Sequence, residues 1–316
     1  MITALTGGTG GAKFLQGLQE VASPGDLTAI VNTGDDLRWW GLHVSPDLDS
    51  VTYALAGMLS RDRGWGIEAD TFQCLDLMRR LGAPSWFQLG DRDLATHLYR
   101  TELLTQGKSL AEATEQIARR LGVGACILPM TNDRVETRVL TTAGELSFQE
   151  YFVRERYQVP VQAVRFDRAA QASPAPGVVE SILAARTILI APSNPVTSIG
   201  PILAVPGVRE ALQNTRAPVV AVTPIIAGAA VSGPAAALMQ ASGLPVSIEG
   251  VARAYADFLD TLIVDECDTA YAANVERLGI RTRCAQILMT STADKSSLAS
   301  AVLQAADELR AVSASA

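Results

Sequence analysis

A glycine-rich turn directly after the first apolar segment constrains the fold of this chain more than any other feature. Residues 2–6 (ITALT) are typical of a short buried strand, and the sequence Gly7-Gly8-Thr9-Gly10-Gly11 follows them. A helical pattern continues from Lys13 to Val21, and a second strand pattern covers residues 27–32. This β–turn–α–β order is the opening unit of a parallel sheet with helices on both faces.

The glycine-rich turn has the chemistry of an anion site. Glycines let the backbone approach a phosphate, and the free amides at the start of a helix point at it. Lys13 lacks the following Ser or Thr of a Walker A motif, and Asn32 stands where a dinucleotide fold has an acid for the ribose. A tight turn that needs positive φ is the alternative, and it explains two of the glycines. We predict that these residues bind an anionic substrate: Gly7, Gly8, Thr9, Gly10, Gly11 and Lys13.

Strand-like apolar runs return late in the chain, which indicates one sheet built from both ends of the sequence. They cover residues 187–191, 219–223, 262–265 and 286–289. The middle of the chain has four helical patterns (50–60, 70–81, 94–106, 110–121) and then three short strand patterns (125–130, 136–141, 145–151). We predict a single α/β domain over residues 1–316, with a Rossmann-like, doubly wound, mainly parallel sheet. Residues of about 50–165 form an inserted helical and β cap in this prediction.

Composition excludes several classes of protein. The 316 residues include 26 Lys and Arg against 33 Asp and Glu, a net charge of −7, which argues against binding of nucleic acid through a broad basic face. The 48% apolar content excludes intrinsic disorder. The two histidines and four scattered cysteines disfavour a zinc site. Because no signal peptide or long apolar stretch is recognisable, we expect a cytoplasmic protein with no membrane partner.

Acidic residues cluster after the second strand and before the first helix of the middle region. Asp35 and Asp36 follow the strand, and Asp47 and Asp49 precede the helix. Carboxylates at the carboxyl ends of strands suit Mg²⁺, which binds one or two of them together with substrate phosphates. Helix capping is the alternative, and it explains one acid in each cluster. We predict Mg²⁺ as the cofactor and Asp36 and Asp49 as its ligands.

A third polar motif combines Asp91, Arg92 and Asp93 with one of the two histidines, His97. The spacing places Asp93 and His97 on one face of a helix, where they could orient a substrate hydroxyl or position a base. A salt-bridged helix start on the surface is an equally good interpretation of the same pattern.

Polar loops also follow the late strands, where an open α/β sheet binds its ligands. The first such loop offers hydrogen-bonding side chains to a nucleotide, and we predict as binding residues Ser193, Asn194, Thr197 and Ser198. Tryptophans are most often core residues. Trp39 and Trp40, however, directly follow the acidic cluster and could stack on a planar ring.

Nine elements in order resemble one known family along almost the whole chain. They are GGTGGAK, VNTGDD, SPDLDS, RGWG with EADTF, LGDRDLATH, ILPMTND, APSNPVTSIGPIL, TPII and LMTST. This set is similar to 2-phospho-L-lactate transferase of coenzyme F-420 biosynthesis, a family whose bacterial members are phosphoenolpyruvyl transferases. A related family of UDP-sugar-binding regulatory proteins shares the glycine-rich start, and a non-catalytic sensor of that kind is the alternative function.

The resemblance implies a metal-dependent transfer between two small molecules. A guanosine diphosphate ester of lactate or enolpyruvate is the donor, and the ribityl hydroxyl of the deazaflavin Fo attacks it with release of GMP. The deazaflavin-contact positions of the family fall on Asp49 and on Asp91 or Arg92. One of Asp49, Asp91 or Asp93 would accept the hydroxyl proton, and Trp39, Trp40 and His97 would line the substrate site. The family also implies a homodimer.

Overall fold

The structure, a computed structural model, describes residues 1–23 and 25–315. The strands are β1 (Ile2–Thr6), β2 (Leu27–Val31), β3 (Leu37–Trp39), β4 (Leu42–Val44), β5 (Cys126–Pro129), β6 (Glu136–Thr141), β7 (Gly144–Ser147), β8 (Val161–Asp167), β9 (Thr187–Ile190), β10 (Val219–Val222), β11 (Ile225–Ile226), β12 (Ala229–Ala230), β13 (Thr261–Val264) and β14 (Arg281–Cys284). The helices are α1 (Gly8–Val21), α2 (Pro46–Leu55), α3 (Gln73–Arg80), α4 (Asp91–Thr105), α5 (Leu110–Arg120), α6 (Val178–Leu183), α7 (Gly200–Ala204), α8 (Val208–Asn214), α9 (Ala235–Ala241), α10 (Ile248–Ala254), α11 (Ala272–Glu276) and α12 (Thr292–Ser315).

Seven strands form one parallel sheet in the order β14-β13-β10-β9-β1-β2-β5. The first strand is central: Leu5 pairs with Ile30 of β2 on one side and with Ile190 of β9 on the other. The strand order reverses between β1 and β9, and an open α/β sheet binds ligands at such a reversal. This architecture confirms the predicted doubly wound α/β class.

Helices cover both faces of the sheet because its inner strands are buried on both sides. One core joins β1, β2 and β9 to α1, α2 and α12, with Phe14, Leu48 and Val302 fully buried. The other core lies against α6, α8 and α10, with Ile182 and Val251 fully buried. The two cores give a three-layer arrangement that holds the loops at the strand ends in place.

The middle of the chain contributes to the main sheet as well as to an added region. Residues 126–129, inside the predicted cap of about 50–165, form β5 and pair in parallel with β2. The added region consists of the β3–β4 hairpin, α3, α4 and an antiparallel sheet in the order β7-β6-β8, which ends at Asp167. The apolar pattern of β5 does not distinguish a strand of the main sheet from one of the cap, since both are partly buried.

Several local predictions differ from the structure, and the helix predicted over 50–60 lies at Pro46–Leu55. The helix after the glycines begins at Gly8, not at Lys13, so the glycines lie in its first turns. The strand pattern 145–151 ends at Ser147 and continues as a π-helical turn over residues 150–154. The predicted strand at 286–289 is wrong: the edge strand is β14, which pairs only with β13 and is half-exposed, so it carries the polar sequence RTRC.

A search of the described ranges for a helix long and apolar enough to cross a membrane finds none.

Candidate active site

A cavity of about 780 Å³ opens at the carboxyl ends of the central strands. Residues that follow four neighbouring strands line it: Gly7 after β1, Asp35 after β2, Pro192 after β9 and Thr223 after β10. Its other sides are lined by residues of α2 and, from the added region, of α4 and the segments around Trp65 and Trp86. We call this cavity the cleft.

The glycine turn and the loop after β9 are packed directly against each other. Ser193 Oγ donates to the carbonyl of Gly7 at 2.7 Å. A Cβ at Gly10 would lie 2.7 Å from the carbonyl oxygen of Pro192, and one at Gly11 would overlap the Thr6 side chain. Glycine is therefore required by the close approach of the β9 loop as well as by the φ of +67° at Gly8.

The carboxylate of Asp47 lies at the glycine turn, where an anion would be expected. Its Oδ2 accepts a 2.9 Å hydrogen bond from Asn32 Nδ2, and the backbone N–H of Gly8 also donates to the carboxylate. A Cβ at Gly7 would lie 2.6 Å from Asp47 Oδ2. Burial, together with the nearby charges of Asp36 and Asp49, raises the pKa of Asp47 to about 6.

Asp35 is a second buried carboxylate in the lining of the cleft. Its Oδ1 has no hydrogen-bond partner, and the residue is only 5% exposed. Burial and the charge of Asp47 raise the pKa of Asp35 well above its ordinary value. An unpaired buried carboxylate is costly, and such groups occur where a ligand or cation supplies the missing partner.

Helix α2 of the main core and helix α4 of the added region bring an ion-pair network to the cleft. Arg100 on α4 donates to both carboxylate oxygens of Asp49 on α2. The ring of His97 lies between two carboxylates, with Nδ1 at 3.6 Å from Asp49 Oδ2 and Nε2 at 3.2 Å from Asp93 Oδ1. Tyr53 also donates its hydroxyl to Asp93 Oδ1 at 2.7 Å.

This network is buried, yet four of its members line the cleft. Arg100 lies behind them and is 2% exposed. Burial and the charges of Asp49 and Asp93 raise the pKa of Tyr53 well above its ordinary value, so its hydroxyl keeps its proton and remains a donor. The four residues that reach the cleft are Asp49, Tyr53, Asp93 and His97.

Aromatic side chains form the apolar part of the lining. Phe148 and Phe152 are stacked with ring centroids 5.5 Å apart. Arg154, next to them in the chain, places its guanidinium 5.8 Å from the ring centre of Trp86. Trp86 and Phe87 line the cleft, whereas Trp39 packs edge-on behind Trp86 at 4.7 Å. Planar rings in such a setting favour stacking of an aromatic ligand.

Most of the predicted site residues meet in the cleft. The structure brings into its lining Gly7, Gly8, Thr9, Gly10, Lys13, Asp49, Asp93, His97, Ser193, Asn194, Thr197 and Ser198. Gly11, Asp36, Trp39, Trp40, Asp91 and Arg92 are not among the lining residues.

The residues outside the lining have other contacts. Asp36 Oδ2 accepts from Ser45 Oγ at 2.7 Å and lies 2.9 Å from His43 Nε2. Asp91 accepts from the backbone amides of Gln73 and Cys74 and so caps α3. Arg92 donates to the carbonyl of Glu68, and Trp40 donates to that of Pro84.

Four residues of the site were not predicted from the sequence: Asp35, Asp47, Tyr53 and Arg100. Two signals could have found part of this set. Asp93, His97 and Arg100 recur at helical spacing on one face of α4, and Tyr53 follows Asp49 by one helical turn. No sequence pattern distinguishes Asp35 from Asp36, because adjacent residues after a strand diverge according to how the loop turns.

The sequence matches the 2-phospho-L-lactate transferase (CofD) family over residues 2–294. The chain belongs to this family. The resemblance inferred from the ordered motifs is thereby confirmed, and since the family is one of transferases, the chain is a transferase.

Two relatives with different printed activities are equally similar in sequence identity to this chain. The phosphoenolpyruvate transferase of Streptomyces griseus subsp. griseus is 45% identical over 316 residues, with 98% of this chain and 99% of the relative covered. The 2-phospho-L-lactate transferase of Methanosarcina mazei is 45% identical over 300 residues, with coverage of 95% and 98%.

Solved structures support the fold. The crystal structure of a UPF0052-family protein from Bacillus halodurans superposes with a TM-score of 0.65 at 18% identity. The superposition covers 96% of this chain and 98% of that protein. At this identity the likeness concerns the α/β architecture alone.

Proposed function

We propose that this chain transfers a phospho-lactyl or phosphoenolpyruvyl group from a guanosine diphosphate ester to the deazaflavin Fo in coenzyme F-420 biosynthesis. The ribityl hydroxyl oxygen of Fo attacks the phosphorus that bears the small acid. The bond from this phosphorus to the bridging oxygen breaks, GMP leaves, and the hydroxyl proton passes to a base. The product is a phosphodiester between Fo and the acid.

One observation carries the proposal: a single cleft contains an anion-binding turn, a group of carboxylates and an aromatic wall. The glycine turn with Lys13 suits the diphosphate, and the β9 loop offers polar groups to the nucleoside. Phe148, Phe152, Trp86 and Phe87 suit the planar deazaflavin. Phosphoryl transfer depends on positioning and on charge stabilisation, and this combination provides both.

Asp93 is our proposed proton acceptor among the three predicted candidates. Asp91 is engaged as the cap of α3, and both oxygens of Asp49 are held by Arg100. Asp93 lines the cleft, Tyr53 donates a hydrogen bond to its Oδ1, and His97 Nε2 lies 3.2 Å from the same oxygen. We assign Asp49 the task of orienting the acceptor hydroxyl.

The donor set of the cleft fits magnesium as a site that the substrate completes. Among residues 1–23 and 25–315, no three His, Cys, Asp or Glu side chains form a ready-made metal site. Mg²⁺ needs only one or two carboxylates when phosphates supply other oxygens. Asp47 lies at the glycine turn, and Asp35 lines the cleft and is repelled by Asp47, so we propose these two as the ligands. Of the two predicted ligands, Asp36 lies outside the lining and Asp49 has both oxygens held by Arg100. Bound by Asp35 and Asp47, the ion would neutralise charge on the diphosphate oxygens.

The test is incubation of the purified chain with Fo, Mg²⁺ and either the lactyl or the enolpyruvyl guanosine donor. Mass spectrometry should detect GMP and the phospho-acid ester of Fo in equal amounts. An Asp93→Asn variant should bind Fo but release GMP far more slowly. Absence of product with both donors would refute the proposal, and tight UDP-sugar binding without turnover would favour the sensor alternative. Light scattering of the same sample measures the proposed homodimer.

A further inference from the structure

Two of the three lysines in this chain lie close together, and one of them lines the cleft. The lysines are Lys13, Lys108 and Lys295. Lys13 lines the cleft from α1, while Lys295 lies in the first turns of α12. Lys108, by contrast, is exposed and forms an ion pair with Glu112 of α5.

Close packing of two helices places Lys295 beside Lys13. A Cβ at Gly17 of α1 would lie 2.2 Å from the backbone carbonyl oxygen of Lys295, so α1 and α12 touch without intervening side chains. The ammonium of Lys295 then runs along α1 and donates to Gln16 Oε1 at 2.7 Å. Gln16 is three residues after Lys13, on the same helix face.

Two segments of the cleft lining are neighbours in sequence of Arg61 and Lys295. Arg63, Trp65 and Gly66 belong to the first segment, and residues 287–289 form the second. Arg61 precedes the first segment, and Lys295 follows the second in the next helix. Lys13 and Arg63 belong to the lining itself, whereas Arg61 and Lys295 lie outside it, and the charges of Lys13 and Arg61 both act on Lys295.

The three cations Lys13, Arg61 and Lys295 have no carboxylate partner to explain their proximity. Among the ion pairs of the described residues, none involves Lys13, Arg61 or Lys295, whereas Lys108 has one. The pKa of Lys295 is lowered by partial burial and by the charges of Lys13 and Arg61. A group of mutually repelling cations at the wall of a cleft is stabilised when an anion binds among them.

We propose that Lys295, with Lys13 and Arg61, binds an anionic group of the donor, either a phosphate or the carboxylate of the transferred acid. The identity of the donor rests on the proposed function, but anion binding at this cluster does not. The lining therefore offers carboxylates, such as Asp49 and Asp93, as well as Lys13 with the cations behind it. Such an arrangement directs an anionic donor to the cations and leaves the carboxylates to the hydroxyl of the acceptor.

The first test is independent of turnover and uses lysine labelling. Pyridoxal 5′-phosphate forms an imine with an accessible lysine, and borohydride reduces it to a stable adduct. Because the chain has three lysines, peptide mass spectrometry resolves each one. We expect inorganic pyrophosphate to protect Lys13 and Lys295 while leaving labelling of Lys108 unchanged. Equal labelling of Lys295 with and without pyrophosphate would overturn the proposal.

The second test uses a Lys295→Met variant with Lys108→Met as its matched control. Loss of one ionic contact should raise the KM for the donor about fivefold while kcat stays the same. The inhibition constant of GDP separates the two anions: an unchanged value assigns the cluster to the carboxylate, and a parallel rise assigns it to a phosphate. An unchanged donor KM in Lys295→Met would also overturn the proposal. If the wild type turns over neither donor, the proposed function fails, and the labelling result still decides this inference.

Discussion

Arg100 holds both carboxylate oxygens of Asp49 with its two terminal guanidinium nitrogens, and the exposed fractions of the two side chains are only 2% and 7%. The residues come from different helices, so the ion pair fixes α4 against α2. A buried pair with two parallel hydrogen bonds has little rotational freedom. Asp49 is therefore oriented before any substrate enters the cleft.

Removing Arg100 should destabilise the fold strongly. An Arg100→Met substitution leaves the Asp49 charge buried without a partner, which typically lowers the free energy of unfolding by about 3–5 kcal/mol. Urea unfolding monitored by circular dichroism measures this loss. The double variant Arg100→Met/Asp49→Asn should recover part of the stability, since neither charge remains, but none of the transferase activity. A single variant with wild-type stability would contradict the assigned ion pair.

Asp49 should matter for turnover as well as for folding, because its loss leaves the buried Arg100 charge without a carboxylate partner. Asp49→Asn keeps the shape of the side chain, and we expect kcat for Fo to fall about a hundredfold or more because the hydroxyl loses its orienting carboxylate. Steady-state kinetics with a thermal unfolding curve separate the two effects. Asp76→Asn is the matched control, since Asp76 is an exposed carboxylate that pairs with Arg79 on α3. A kcat near that of the wild type in Asp49→Asn would show that another residue orients the acceptor hydroxyl.

The sequence predicts the main sheet because buried parallel strands leave a strong apolar signal. The patterns at residues 187–191, 219–223 and 262–265 correspond to β9, β10 and β13 within one residue at each end. The edge strand β14 lacks this apolar pattern, since it is half-exposed and polar. The apolar run 287–289 lines the cleft instead.

The sequence predicts which motifs meet, but not which side chain of each motif faces the cleft. The ends of neighbouring parallel strands must meet at one edge of the sheet, which brings the glycine turn and the β9 loop together. The direction of a side chain depends on how its loop turns and on what packs behind it. The Asp36 carboxylate accepts a hydrogen bond from Ser45, whereas the adjacent Asp35 lines the cleft. In the same way, Trp39 packs behind Trp86 and not in the lining.

Asp91 should act on stability and not on catalysis. Its carboxylate accepts from Thr71 Oγ1 and from the amides of Gln73 and Cys74, and these hydrogen bonds lower its pKa. Asp91→Ala should therefore lower the free energy of unfolding by about 1 kcal/mol, as loss of a helix cap does. Because the pKa of Asp91 is lower in the folded state, this stabilisation is present at neutral pH and fades as the pH falls below the ordinary Asp range. A large loss of kcat with unchanged stability would return Asp91 to the catalytic candidates.

Asp35 should show the opposite behaviour, a gain in stability with a loss of activity. Asp35→Asn removes a buried charge that has no hydrogen bond at Oδ1 and that Asp47 repels. We expect the variant to be more stable than the wild type by about 1 kcal/mol at pH 7 without metal, and its turnover to fall about a hundredfold, because function keeps this destabilising carboxylate in place.

The pH dependence of the stability difference between Asp35→Asn and the wild type tests whether the Asp35 charge causes it. The folded state raises the pKa of Asp35, so folding takes up protons and wild-type stability falls as the pH rises above the ordinary value of 3.8. The Asn variant lacks this titration, so its advantage should be small near pH 4 and grow towards pH 8. Asp47, with a pKa of about 6, titrates in both proteins, and loss of the repulsion between it and Asp35 adds to the pH-dependent part of the difference. Thermal unfolding in EDTA at several pH values measures the difference, and a gain independent of pH would show that packing, not charge, is its source.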